Sequence, residues 1–156
     1  MRVGIGYDIH ALKKGRKFFL GGVEIPFSKG LLGHSDGDVL IHALVDAVLG
    51  AAGLGDIGEF FSSADPRYRN AQSSLFVKKV LGLVKKKGLK ISHVDSTVIA
   101  QAPKLGPFRD KIRKNLAKIF GIRESCVGVK AKTNEGFGAV GRGKAVACFA
   151  VASLER

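Results

Sequence analysis

Residues 35–53 read SDGDVLIHALVDAVLGAAG, a helix pattern with almost no polar side. Val39, Leu40, Ile41, Leu44, Val45, Val48 and Leu49 distribute apolar surface nearly all round it, so the helix has to be deeply buried. Its expected limits are an N-cap at Ser35 or Asp36 and a stop near Gly53. Three polar groups interrupt the apolar surface. Asp38, His42 and Asp46 follow at i, i+4 and i+8 and line up as one stripe. Burying them without partners would cost about several kcal/mol, so another element must meet the stripe.

The N-terminal stretch MRVGIGYDIH supplies that element. Residues 1–7 read as a strand, and Asp8 and His10, two apart at its end, point to the same side. With His42 they make two imidazoles and a carboxylate, the donor set of a catalytic zinc site with its fourth position open. Asp38 or Asp46 would then orient the His42 imidazole from behind. A buried His–Asp hydrogen-bonded network without metal fits the same spacing equally well, because Asp-x-His alone is a weak motif.

The remaining elements alternate. KFFLGGVEI (17–25) reads as a hairpin about Gly21-Gly22, and PFSKGLLGHSDGD (26–38) as a loop. GLGDIGEFFSSADPRYRN (53–70) reads as a long irregular loop, a length commonly reserved for function. A second helix over 72–87 turns Leu75, Phe76, Val80, Leu83 and Val84 inward and stops at Gly88. LKISHVDSTVIAQA (89–102) alternates like a strand, and 107–121 is a third helix with Pro107 early and Gly121 at its end. Strands at 126–133 and 143–155 close an α/β sandwich, one domain over 1–156.

Bulk composition narrows the function classes. With 46% apolar and 25% charged residues the chain is ordinary globular protein. Its two cysteines, Cys126 and Cys148, fit neither a disulfide framework nor a CxxC metal site, and read as buried thiols of a cytoplasmic protein. An acid and a His in the first ten residues argue against a secretory leader, and His42, Asp46 and Asp56 interrupt the longest weakly polar run, Val39 to Gly58, so no membrane span is expected. The net charge of +13 raises the question of nucleic acid. Yet no Lys or Arg falls between residues 31 and 66, where six acids cluster, and the basic runs sit at helical spacing, as solvated faces do. A basic surface around an acidic pocket also attracts an anionic substrate.

Further groups have chemical potential. His34-Ser35 precedes the long helix, where a His and a hydroxyl beside free N–H groups suit a phosphate, although plain capping explains Ser35 as well. KTNEGFGAVGRGK (132–144) contains G-x-G-x-x-G, but a strand follows it and no acid stands about twenty positions on, so it is no dinucleotide fingerprint. A glycine-rich bend here would be able to bring Thr133 and Glu135 near a pocket, with Glu135 a candidate second metal ligand. In AQAPKLG (100–106), backbone groups of a turn would suit a planar base.

Taken in order, GYDIHAL, the run 21–61, DPRY, IAQAPKLGP and VKAKTNEGFGAVGRGKAVA span the chain, and together they resemble the 2-C-methyl-D-erythritol 2,4-cyclodiphosphate synthase family. The resemblance implies a mixed β-sheet covered on one side by helices, in a homotrimer with active sites at subunit interfaces. It implies Zn²⁺ on Asp8, His10 and His42, and Mg²⁺ or Mn²⁺ on Glu135. It places His34 and Thr133 as transition-state stabilisers. The methylerythritol end of the substrate would meet Asp8, His10, His34, Ser35, Asp56, Ile57, Gly58, Phe61, Ser62, Ser63, Ala64 and Asp65. Cytidine and the diphosphate would meet Ala100, Gln101, Ala102, Pro103, Lys104, Leu105 and Gly106, with Ala131, Lys132, Thr133, Asn134, Glu135 and Arg142. The implied partner is a cytidine diphosphate-linked small molecule, with no nucleic acid and no membrane. The pattern departs at SSAD (62–65), where Ser63 replaces an acid, at Lys132 for Thr, and at Phe149, which replaces the acid of an Arg–Glu pair with Arg142.

Three functions compete on these grounds: a zinc-dependent phosphorus–oxygen lyase, a metal-dependent phosphohydrolase using metal-bound water, and a basic nucleic-acid-binding module. The motifs rank the lyase first. Nothing resembles a recognition helix or an aromatic-studded RNA-binding sheet.

Overall fold

The structure is a computed structural model that describes residues 1–62, 65–68 and 71–156. A five-stranded mixed sheet runs in the order β4-β1-β7-β5-β6, where β1 is Arg2–Lys14, β4 Lys29–Leu31, β5 Lys90–Ile99, β6 Val127–Lys132 and β7 Ala145–Glu155. The β1–β4, β1–β7 and β5–β7 pairs are antiparallel, and β5–β6 is parallel. A separate hairpin of β2 (Phe18–Leu20) and β3 (Val23–Ile25) turns at Gly21-Gly22, both at positive φ, as expected. The core gathers on one face of the large sheet, under α1 (Val39–Ala52), α3 (Ser74–Lys86) and α4 (Arg109–Phe120).

The contact between β1 and α1 is unusually close. One side of β1 presents Gly4 and Gly6, and α1 answers with Ala43, Ala47 and Ala51 at i, i+4 and i+8. A Cβ on Gly4 would overlap the Ala47 carbonyl oxygen, and one on Gly6 would overlap that of Ala43. Neither glycine has a positive φ, so what they supply is the absence of a side chain rather than backbone freedom. The strand's period of two then puts Asp8 and His10 on this same helix-facing side. The opposite face carries Val3, Ile5, Tyr7 and Ile9, all exposed.

Several expected boundaries shift. The β1 strand does not end at residue 7 but continues to Lys14, because Gly6 to Ala11 pair with β7 and Leu12 to Lys14 pair with β4, a strand inside the expected 26–38 loop. The helix expected over 36–53 is capped by Asp38 rather than Ser35 or Asp36, its side chain accepting the Ile41 N–H at 3.1 Å. Its C-terminal end is as expected, with Gly53 in the left-handed region. The expected irregular loop of 53–70 contains α2 (Ile57–Phe60) and a 3₁₀ turn at Pro66–Tyr68. In α3, Leu75 faces solvent and Val77 is buried instead. The glycine-rich bend holds a single short turn, α5 (Gly138–Gly141), and leads into a strand, as expected for a false dinucleotide signature.

The β1–α1 approach predicts that Gly6→Ala lowers stability by about 1–3 kcal/mol, by forcing helix and strand apart. Gly82→Ala, at an exposed α3 position with nothing within 4 Å, should instead stabilise by about 0.5–1 kcal/mol. Urea midpoints of the two variants check the contrast.

Candidate active site

Asp8, His10 and His42 converge where β1 meets the first turns of α1. His10 Nε2 lies 2.9 Å from Asp8 Oδ2, His42 Nδ1 lies 3.0 Å from the same oxygen, and the two nitrogens are 3.1 Å apart. The far nitrogens are committed elsewhere. His10 Nδ1 donates to the Leu32 carbonyl at 2.7 Å, while His42 Nε2 lies 3.1 Å from Ser35 Oγ and 3.0 Å from Ser73 Oγ. Each imidazole is thereby held with its other nitrogen turned inward.

Three basic atoms this close need positive charge among them. Burial raises the Asp8 carboxyl, but hydrogen bonds and charge from His10 and His42 outweigh it and hold the group well below the usual carboxylate range. Burial lowers His10, yet the Asp8 hydrogen bond and charge, with the Leu32 carbonyl, raise it on balance. A divalent ion fits the same donors: around tetrahedral zinc with bonds of roughly 2.0–2.2 Å, ligand atoms stand about 3.3 Å apart, a few tenths of an ångström wider than here. Among the described residues these are the only three His, Cys, Asp or Glu side chains grouped closely enough to share an ion.

The acids of the α1 stripe do not orient His42, contrary to expectation. Asp38 is fully buried and accepts the Gly21 and Gly22 N–H groups at 3.0 and 2.6 Å, tying the β2–β3 turn to the α1 N-terminus. Burial and the Asp36 charge push its carboxyl up, against these N–H donors. Asp46 accepts the Ile57 N–H at 2.7 Å and so fixes α2; burial and the Asp56 and Asp8 charges raise it. The hydroxyls of Ser35 and Ser73 hold His42 instead.

The triad opens into a cavity of about 280 Å³ lined also by His34, Ser35, Ile57, Gly58, Phe61, Tyr68 and Phe76. Its apolar wall is a ring cluster, with Phe61 and Phe76 centroids 4.5 Å apart and Tyr68 within 5.4 Å of Phe61. His34 is exposed, its Nε2 3.2 Å from the Asp65 carbonyl oxygen. Asp65 pairs with Arg67, whose hydrogen bonds bring its carboxyl down to about 2. Asp56 caps α2 at the Glu59 N–H. Ser62, next in the chain to Phe61, is exposed, and Ser63 and Ala64 lie outside the described residues.

A second cavity, about 310 Å³, lies beyond the C-terminal ends of β5 and β6. Ala100, Gln101, Pro103, Lys104, Leu105 and Gly106 line it with Ala131, Lys132 and Thr133, so both stretches expected around cytidine meet there. Ala102 joins a cis peptide to Pro103 in the same turn. Asn134 donates to the Phe137 carbonyl at 2.9 Å, and Glu135, at φ 47°, accepts the Thr133 hydroxyl. Arg142 is exposed after α5. The two cavities share no lining residue, so one chain keeps the expected site in two halves.

Sequence reasoning missed Ser73 and Tyr68. Tyr68 carried a weak signal in DPRY, but Ser73 carried none, since its importance arises from Asp36, 37 positions away.

The chain is similar to known proteins over its whole length. The model of the YgbB family matches residues 1–155. A 2-C-methyl-D-erythritol 2,4-cyclodiphosphate synthase of Clostridium acetobutylicum is 51% identical over 154 residues, covering 99% of each chain. A solved 2C-methyl-D-erythritol-2,4-cyclodiphosphate synthase in a CDP-bound form superposes with a TM-score of 0.91 at 39% identity, covering 99% of this chain and 100% of that one. The bifunctional IspDF of Campylobacter jejuni superposes with a TM-score of 0.94 at 40% identity, over 98% of this chain but 42% of the larger one.

Proposed function

The chain belongs to the YgbB family, and from that premise we propose how its site works. The protein converts 4-diphosphocytidyl-2-C-methyl-D-erythritol 2-phosphate to 2-C-methyl-D-erythritol 2,4-cyclodiphosphate and CMP, in isoprenoid precursor biosynthesis. The observation that carries the mechanism is the inward convergence of Asp8, His10 and His42 on one cavity.

The reaction forms one P–O bond and breaks another. An oxygen of the 2-phosphate attacks the β-phosphorus, and the oxygen joining the two phosphates of the CDP group leaves with CMP, carrying the bonding pair. The attacking oxygen is already anionic, so no strong base and no covalent nucleophile is needed. The barrier lies in bringing two phosphates together and folding the chain between them, which is a matter of positioning and charge. Ordering both ends of one substrate supplies roughly 7–11 kcal/mol in favourable intramolecular cases.

Asp8, His10 and His42 would hold zinc, and Glu135 a magnesium or manganese ion. When bound, such ions draw charge off phosphate oxygens and polarise phosphorus. Ile57, Phe61, Tyr68 and Phe76 enclose the methylerythritol carbons and exclude water. His34, at the mouth of that cavity, donates to phosphate oxygens as charge develops, and the Thr133 hydroxyl does so from the cytidine side. Backbone groups of 100–106 read the base.

The working unit would be a homotrimer with each site shared between neighbours. Two features favour it. The catalytic halves fall in separate cavities within one chain, and the outward sheet face is apolar, with Ile5 71% exposed and Tyr7 packed on Phe149 at 4.7 Å. The free thiols fit a cytoplasmic setting, half-buried at Cys126 and buried at Cys148, where burial pushes the thiol up. Among the described residues no helix is long and apolar enough to cross a membrane.

Incubation of zinc-loaded protein with the substrate and Mg²⁺, followed by ³¹P NMR, should give two mutually coupled resonances with stoichiometric CMP. Inorganic phosphate in their place would instead establish a hydrolase. His42→Ala should lose both zinc and turnover while remaining folded; full zinc occupancy in that variant would remove His42 from the ligand set. Glu135→Gln should raise the Mg²⁺ or Mn²⁺ concentration at half-maximal rate, and an unchanged titration would exclude it from the second site. Ile5→Glu should shift sedimentation from trimer to monomer and abolish turnover, whereas a monomeric wild-type protein would refute the shared-site reading.

A further inference from the structure

His42 has two ways to satisfy its ring. With the proton on Nε2, Nδ1 presents a lone pair to the space between Asp8 and His10. With the proton on Nδ1, that nitrogen donates to Asp8 Oδ2, only 3.0 Å away, and cannot bind a cation. The carboxylate of Asp8 favours the second, unproductive form. Something behind the ring has to overrule it.

The Ser35 hydroxyl cannot do so alone. Its Oγ lies 3.1 Å from His42 Nε2 and accepts the Gly37 N–H at 3.2 Å, but its own proton is uncommitted, so it can either accept from that nitrogen or donate to it. Ser73 differs. Its hydroxyl donates to Asp36 Oδ1 at 2.5 Å, and its N–H donates to Asp36 Oδ2 at 2.9 Å, so Asp36 grips it at two points. Asp36 is itself fixed, with Oδ1 accepting the Asp38 N–H at 3.1 Å and its N–H donating to the Ala71 carbonyl at 3.0 Å. With its only proton spent on a carboxylate, the fully buried Ser73 Oγ can only accept from His42 Nε2, 3.0 Å away.

We propose that Ser73, locked by Asp36, is a positioning residue that fixes the Nε2–H tautomer of His42 and so makes Nδ1 a metal ligand. The arrangement extends a carboxylate–histidine–metal chain by one hydroxyl. It also ties His42 to the stretch leading into α3, because Ala71 and Ser73 both dock on Asp36. The inference rests on the metal reading above, but tautomer and metal are measured separately.

The test uses the full-length protein, zinc-loaded and metal-free. In the metal-free wild type, ¹⁵N shifts of the His42 ring should show a protonated Nε2 and an unprotonated Nδ1. Ser73→Ala should move the proton toward Nδ1 and weaken zinc roughly 10–100-fold in competition with a chromophoric chelator. Ser73→Thr, which keeps the hydroxyl, should restore both, and Ser35→Ala should leave the tautomer in place. A folded Ser73→Ala protein with unchanged ring shifts and zinc affinity within about twofold of wild type overturns the proposal, since a purely structural role would lower stability alone. If Ser73→Ala does not fold, Asp36→Asn decides by the same readouts, its amide N–H competing for the Ser73 oxygen and freeing the hydroxyl proton. A wild type that binds no zinc would refute the metal reading, while the ring shifts would still decide the role of Ser73.

Discussion

Everything at the site depends on how closely α1 can lie on β1. Gly4 and Gly6 remove the side chains that would hold the helix off, and the alanines at 43, 47 and 51 make the answering surface. Helix and strand are then near enough for His42 to reach Asp8 and His10 with ring nitrogens about 3 Å apart. One methyl group at Gly6 would overlap the Ala43 carbonyl oxygen, one residue after His42. Packing and chemistry are here the same contact, because Gly4 and Gly6 are followed by Asp8 and His10 along one face of one strand.

That contact leaves a polar stripe to satisfy in the core, and the fold divides the work. Asp38 gathers backbone N–H groups from the β2–β3 turn and its own helix end, Asp46 secures α2 over the cavity, and His42 is left to face the strand. No buried side-chain nitrogen or oxygen among the described residues lacks a partner. The acids thus stabilise loops that shape the pocket without touching the imidazole, whose orientation falls to two serines.

The outer face of the same sheet poses the opposite problem. An antiparallel sheet packed on one side usually turns polar residues outward, yet β1 and β7 turn out Val3, Ile5, Tyr7, Ile9, Phe149 and Val151. An apolar surface of this kind calls for cover.

Local pattern was enough to reveal the α1 helix, its burial, the β2–β3 hairpin, the C-terminal glycine of α1 and the pairing of Asp8 with His10. These depend on periods of 3.6 and 2 and on residue types that act through their own backbone. Family resemblance extended this to the activity. Tertiary structure alone decided the rest: that β1 runs on past His10, since its length is set by β7 and β4; that Asp38 caps a turn rather than serving His42; that the described residues of 53–70 include two short helical turns; and that Ser73 stands behind His42. The extent of β1, the role of Asp38 and that of Ser73 each depend on a hydrogen-bond partner far away in the chain. The partner's identity is a property of how elements pack, and no local spacing encodes it.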